Sequence, residues 1–165
     1  MPAAMSDRNE GTMNDTIGGY GQAGLISEGP FAGWMSWGQG QDPFETLVGP
    51  FCYTVLADGT VRAAFQPEPR HLNGAGAIHG GCLMSFADFA LFALAHHALK
   101  DGVNAVTLTC NSEFLGAGSL DGPVEAKGQV LRDTRSLIFV QGSLEQGGKA
   151  ILAFSGVLKK IKPGS

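Results

Sequence analysis

The sequence predicts an α+β fold, a mostly antiparallel sheet of about six strands with a single long covering helix. Three observations carry this. Helical apolar patterning is sustained only from about Gly80 to Leu99; strand-like stretches precede and follow it, two before and four after; and no helical period returns beyond Gly102.

Residues 1–28 are rich in Gly, Asp, Asn and Ser without apolar periodicity and read as a mobile tail ahead of a single domain over 29–162. Phe31 to Trp37 suits either a short amphipathic helix or a packed lid. Asp42-Pro43 then offers an N-cap and a first-turn proline for a short helix, Phe44 to Val48. Phe51–Ala57 and Thr60–Phe65 flank Asp58-Gly59, a two-residue hairpin signal. A Pro/Gly-rich loop, Gln66 to Ile78, leads into the long helix, which closes on Lys100-Asp101-Gly102, a cation and a glycine suited to a helix end. Four strands follow at about 103–115, 123–132, 136–144 and 149–159, separated by Gly116-Ala117-Gly118 with Asp121-Gly122, by Asp133-Thr134 and by Gln146-Gly147-Gly148.

Composition narrows the function classes. The 165 residues carry a net charge of −4 and no run of more than two basic residues, so nothing points to nucleic acid. Cys52, Cys82 and Cys110 are odd in number and widely spaced, which fits neither a disulfide framework nor a metal site and suggests a reducing compartment. The N-terminus lacks the basic-then-apolar order of a secretory signal, and the longest apolar run, Cys82 to Ala95, is too short for a bilayer. A cytoplasmic location is the default expectation, with no membrane partner.

The helix reads GGCLMSFADFALFALAHHAL, apolar nearly all the way round, as expected of a helix wrapped by protein. Asp88 interrupts it. Met84, Ser85, Leu91 and Phe92 surround it at helical spacing, and no cation lies within a turn. A buried, unpaired carboxylate costs several kcal/mol or takes a raised pKa. Either a tertiary partner satisfies it, or it is tuned for base or nucleophile chemistry in a cleft; the second reading is favoured. Upstream, His79-Gly80-Gly81 enters the helix. Two glycines either relieve a tight turn or expose N–H groups that, with the helix dipole, stabilise a developing oxyanion. Gly80 and Asp88 are eight residues apart on one helix, about 12 Å at 1.5 Å per residue. Reacting atoms must approach to about 3 Å. If both residues serve one carbonyl, the site lies between two copies of the chain.

The pattern Asn73-x5-His79-Gly80-Gly81-x6-Asp88 resembles the signature of hot-dog thioesterases of the 4-hydroxybenzoyl-CoA thioesterase superfamily, in its phenylacetate-pathway (PaaI-like) and thioesterase-superfamily-member-2 branch. The resemblance spans roughly residues 44–160. It implies a hot-dog fold, with the sheet wrapped around one long central helix, hydrolysis of acyl-CoA thioesters without a cofactor or metal, dimers joined sheet edge to edge, and often tetramers built as dimers of dimers. It implies that Asp88 activates water or attacks the carbonyl, that Asn73 orients water or carbonyl, and that the Gly80 N–H polarises the thioester oxygen. Thr107, in the strand after the helix, matches an assisting hydroxyl, although one extra residue precedes it. His79 and Gly81 shape the site. A related branch uses a helix Glu, which this helix lacks.

Arg132 and Arg135 flank the Asp133-Thr134 turn, where the family often contacts the nucleotide; solvated turn charges are an equal reading. His71 is either structural or substrate-binding. His96 and His97 read as surface or dipole-compensating residues. Ser85 has no companion His, and Cys82 no base partner, so neither is read as a nucleophile. Phe31, Trp34 and Phe44 are the candidates for acyl contacts. Two other functions remain: a dehydratase or hydratase of acyl chains, which would pair His with a carboxylate, and a non-catalytic acyl-CoA sensor.

Overall fold

A computed structural model of the chain describes residues 23–38, 42–100 and 103–161. Eight strands form one sheet: β1 (Gly24–Leu25), β2 (Met35–Ser36), β3 (Cys52–Val55), β4 (Val61–Phe65), β5 (Asn104–Phe114), β6 (Val124–Asp133), β7 (Leu137–Gln146) and β8 (Lys149–Ile161). Two helices accompany them, α1 (Pro43–Val48) and α2 (Gly80–Leu94). The strand order is β1-β2-β3-β4-β6-β7-β8-β5, and every neighbouring pair is antiparallel. After β4 the chain crosses the sheet as α2, lays β5 at the far edge, and returns to place β6 beside β4. The hot-dog arrangement expected from the sequence is present.

The two strands beyond the expected six come from the N-terminal segment. Phe31–Trp37, read as a helix or lid, instead turns at Gly33 and supplies Met35–Ser36, which pairs with Leu25 and Gly24 on one side and with Tyr53 on the other. Of the stretch read as a tail, residues 1–22 lie outside the described residues. What holds this segment is a ring cluster: Trp37 stacks on Tyr53 at 4.8 Å and meets Phe89 edge-on at 4.8 Å.

The β3–β4 hairpin also differs in detail. Leu56 N–H donates to Thr60 and Gly59 N–H donates to Leu56, so the loop has three residues, a type I turn ending at Gly59 with φ 85°. That geometry matches strand twist as well as the two-residue turn does.

The core lies between α2 and the concave sheet face, where Phe51, Tyr53, Phe65, Leu83, Phe86, Leu91, Ile138, Leu144, Leu152 and Leu158 are fully buried. Each such side chain contributes on the order of 2 kcal/mol by leaving water. Close approach of helix to sheet depends on Gly156, where a Cβ would collide with Leu91 and lie 2.7 Å from the Thr109 carbonyl.

Two corrections concern α2. It ends at Leu94, and residues His96–Leu99 tighten into a 3-10 turn that swings Leu99 into the core; Asp101 and Gly102 lie outside the described residues. His96 is thereby buried against Tyr53, and only His97 stays at the surface, its Nε2 2.6 Å from the Gly59 carbonyl oxygen. Nor is the helix wrapped on every side. Gly81, Met84, Ser85, Asp88 and Phe92 form a strip at helical spacing that the chain's own sheet leaves partly uncovered. A sequence apolar on all faces hides which face is left open.

Candidate active site

Asp88 faces β5. The bulge in the β5–β8 ladder between Thr107 and Thr109 decides what it meets there. Ala105 and Thr107 point toward the helix; the extra residue, Leu108, shifts the alternation, so Cys110, Ser112 and Phe114 point inward beyond it. Thr107 Oγ1 thus donates a 2.8 Å hydrogen bond to Asp88 Oδ1. Burial raises the Asp88 pKa, and the Thr107 hydroxyl partly offsets that by stabilising the carboxylate. Cys110, beside it on β5, is pushed up first by burial and then by the Asp88 charge.

These two residues lie at a pocket of about 100 Å³ lined by Trp37, Asp42, Glu45, Asp88, Phe89, Phe92 and Thr107. Trp37, Phe89 and Phe92 are its apolar walls. Phe31, Trp34 and Phe44 do not line it: Phe31 and Trp34 pack on one another and Phe44 is exposed. The acid that sequence reading missed is Glu45. Asp42 Oδ1 accepts from the Phe44 and Glu45 N–H groups, each at 3.0 Å, and so fixes the start of α1. Arg70 grips the other end through the Leu47 and Gly49 carbonyls. Glu45 is the third residue of a helix capped by Asp42, where an acid ordinarily reads as part of the cap. Its Oε2 is instead buried without a hydrogen-bond partner among the described residues. Burial, and then the charges of Asp42 and Asp88, push its pKa up to about 8.

The other expected site residues gather at the opposite end of α2. Asn73 Oδ1 accepts from the Ala75 and Ala77 N–H groups at 2.9 and 3.2 Å, closing the tight loop whose ends pair as Leu72 and Ile78. His79 caps α2, its Nδ1 accepting from the Gly81 N–H at 2.9 Å. The Gly80 N–H has no hydrogen bond among the described residues. Phe114 closes over it, 3.1 Å from where a Gly80 Cβ would lie. Within one chain, Asn73, His79, Gly80 and Gly81 are therefore separated from Asp88 and Thr107 by eight residues of helix.

His71 sits in the core, edge-on to Phe65, its Nδ1 accepting from the Glu68 N–H at 2.9 Å. Arg132 and Arg135 are exposed beside the β6–β7 turn, without an ion-pair partner among the described residues. The cross-strand row Thr107–Leu158–Ile138–Asp133 ties that turn to the Asp88 end of the sheet. Three strand spacings separate the two, about 14 Å. Burial pushes Cys82 up to about 11, which overrides any help from the helix terminus. Among the described residues no group of His, Cys, Asp or Glu is arranged to hold a metal, and no helix is long and apolar enough to cross a membrane.

Residues 75–153, which carry α2, Asp88 and Thr107, match the 4HBT thioesterase superfamily. Over this segment the chain is similar to that superfamily. Thioesterase-superfamily structures share its fold closely. A mutant of the phenylacetic acid degradation protein PaaI from Thermus thermophilus is 26% identical with a TM-score of 0.61, over 73% of this chain and 100% of that one. The PaaI protein of Escherichia coli is 24% identical with a TM-score of 0.62, over 73% and 86%. A protein from Bacillus halodurans solved with CoA is 21% identical with a TM-score of 0.62, over 67% and 73%. No curated protein matches the chain. The PaaI-like branch expected from the sequence is the one found.

Proposed function

We propose that the protein hydrolyses acyl-CoA thioesters to free CoA and a carboxylic acid, with Asp88 as the central group. The observation that carries this reading is the Thr107–Asp88 hydrogen bond at a pocket on an otherwise apolar helix. Asp88 takes a proton from water attacking the thioester carbonyl, or attacks that carbon itself. Both routes need it ionised and aimed, and the Thr107 hydroxyl does both. The reaction needs no cofactor.

The oxyanion donor comes from a second copy. β5 is the edge of the sheet, with β8 alone beside it, and Met84, Leu108 and Phe114 are exposed by 45%, 52% and 54% along the uncovered face. Antiparallel pairing of two β5 edges about a centre between Cys110 and Asn111 sets Thr107 of one copy opposite Phe114 of the other. Phe114 covers Gly80, so the free Gly80 N–H and Asn73 of one copy reach the Asp88 of its mate. Arg132 and Arg135, exposed beside the β6–β7 turn, take the CoA phosphates in this reading.

The test is release of free CoA from acetyl, hexanoyl, lauroyl, phenylacetyl and hydroxybenzoyl thioesters by the wild type and by Asp88→Asn. Turnover of any of these, falling by about 10²–10⁴ in the variant, is expected. Tight acyl-CoA binding with no turnover across the panel would replace the enzyme with a sensor.

A further inference from the structure

The pocket holds a second carboxyl group that the proposed hydrolysis has not used. Glu45 shares it with Asp88 and Thr107, among the rings of Trp37, Phe89 and Phe92. Its carboxyl is held there by a helix anchored at both ends, through Asp42 and Arg70, and its Oε2 is buried without a partner among the described residues. A surface acid would gain nothing from that placement.

We propose that Glu45 is a catalytic acid, the proton donor to the thiolate that leaves when the thioester breaks; this rests on the thioesterase reading. Water adds its oxygen to the carbonyl carbon and gives a proton to Asp88, or Asp88 adds first and water follows. In either route the C–S bond breaks with its electron pair on sulfur, and Glu45 supplies the proton that makes the CoA thiol. In the first route Asp88 then returns the water proton to Glu45 through solvent. In the second, the water that cleaves the acyl–Asp88 anhydride gives its proton to Glu45 and Asp88 leaves as a carboxylate. In both, thioester and water are consumed and acid and thiol formed. Glu45 holds its proton at neutral pH, and both routes use Asp88 as the carboxylate. The pocket then holds one negative charge from this pair.

The groups facing Glu45 favour that state. Asp42, at the cap of its own helix, and Asp88, from α2, both oppose a charge on Glu45. On β5, Cys110 feels the Asp88 charge, is itself pushed up and stays a neutral thiol. The cation Arg70 holds the far end of α1 and pairs with Glu68 at 3.0 Å. Glu45 thus keeps its proton to about pH 8. Above that value the donor is lost and two carboxylates repel, so kcat/KM falls on the alkaline side.

The experiment compares Glu45→Gln with wild type on one acyl group carried by CoA and by thiophenol. An arylthiolate leaves readily without a proton. The expected result is a loss of more than tenfold on the CoA ester, little change on the phenyl thioester, and disappearance of the alkaline limb near pH 8. Equal rates for the two proteins on the CoA ester, or an equal loss on both esters, would overturn the assignment. The wild-type pH profile is a second reading that needs no variant: kcat/KM that does not fall above about pH 8 also overturns it. If neither ester is hydrolysed by the wild type, the thioesterase reading itself is what has failed.

Discussion

Asp88 and Thr107 act as a pair because burial and a hydroxyl pull the carboxyl in opposite directions. Removing the hydroxyl in Thr107→Val leaves desolvation unopposed. The Asp88 pKa then rises further, the acid limb of the kcat/KM profile moves to higher pH, and the rate falls by about tenfold, the worth of a hydrogen bond to a charged group. The same pair has a stability signature. A carboxyl whose folded pKa lies above its unfolded value contributes its stability at low pH and loses it as pH rises through the folded value. Asp88→Asn, the variant expected to lose turnover by about 10²–10⁴, is therefore expected to melt no lower than wild type at neutral pH by differential scanning calorimetry. Asp88 was legible in the sequence because a charge in an apolar helix is conspicuous. Glu45 was not, because an acid in the first turn of a capped helix is ordinary.

At the scale of elements, the bulge at Leu108 decides which β5 residues reach the helix, and glycines decide how closely the helix can lie. Gly156→Ala pushes a methyl group into Leu91 and toward the Thr109 carbonyl. The expected cost is about 1–3 kcal/mol, read as a lower urea midpoint with unchanged slope. Strand positions, the α1 cap and the start of α2 followed from turn residues and period, which are local. The end of α2 did not, since Leu99 turns inward to fill the core. Gly24–Leu25 and Met35–Ser36 also escaped a local reading, because two-residue strands exist only through their partners.

The whole molecule is organised around an unpaired edge, β5, continuous with the uncovered strip of α2. The proposed sharing of sites across that edge has a quantitative consequence. Asp88→Asn and Asn73→Ala each leave every site of their own dimer defective, but a mixed dimer regains one intact site. Mixing the two inactive proteins one to one, with subunit exchange, is expected to restore roughly a quarter of wild-type activity. Mixtures as inactive as the separate variants would mean that each chain holds a complete site.

The sequence by itself determined the α+β architecture, the helix entry at His79-Gly80-Gly81 and the odd placement of Asp88 in an apolar helix, because periodicity, turn chemistry and a misplaced charge are local signals. Its spacing also determined that Gly80 and Asp88 are too far apart to meet within one chain. Only the tertiary structure decided that Thr107 is the hydrogen-bond partner of Asp88, since a single bulge sets which side chains face inward. It alone brought Trp37 and Glu45, more than 40 residues before Asp88, into the same pocket. Pockets are made by chain segments remote from one another, and the desolvation that gives a carboxyl its proton at neutral pH arises only when those segments close around it.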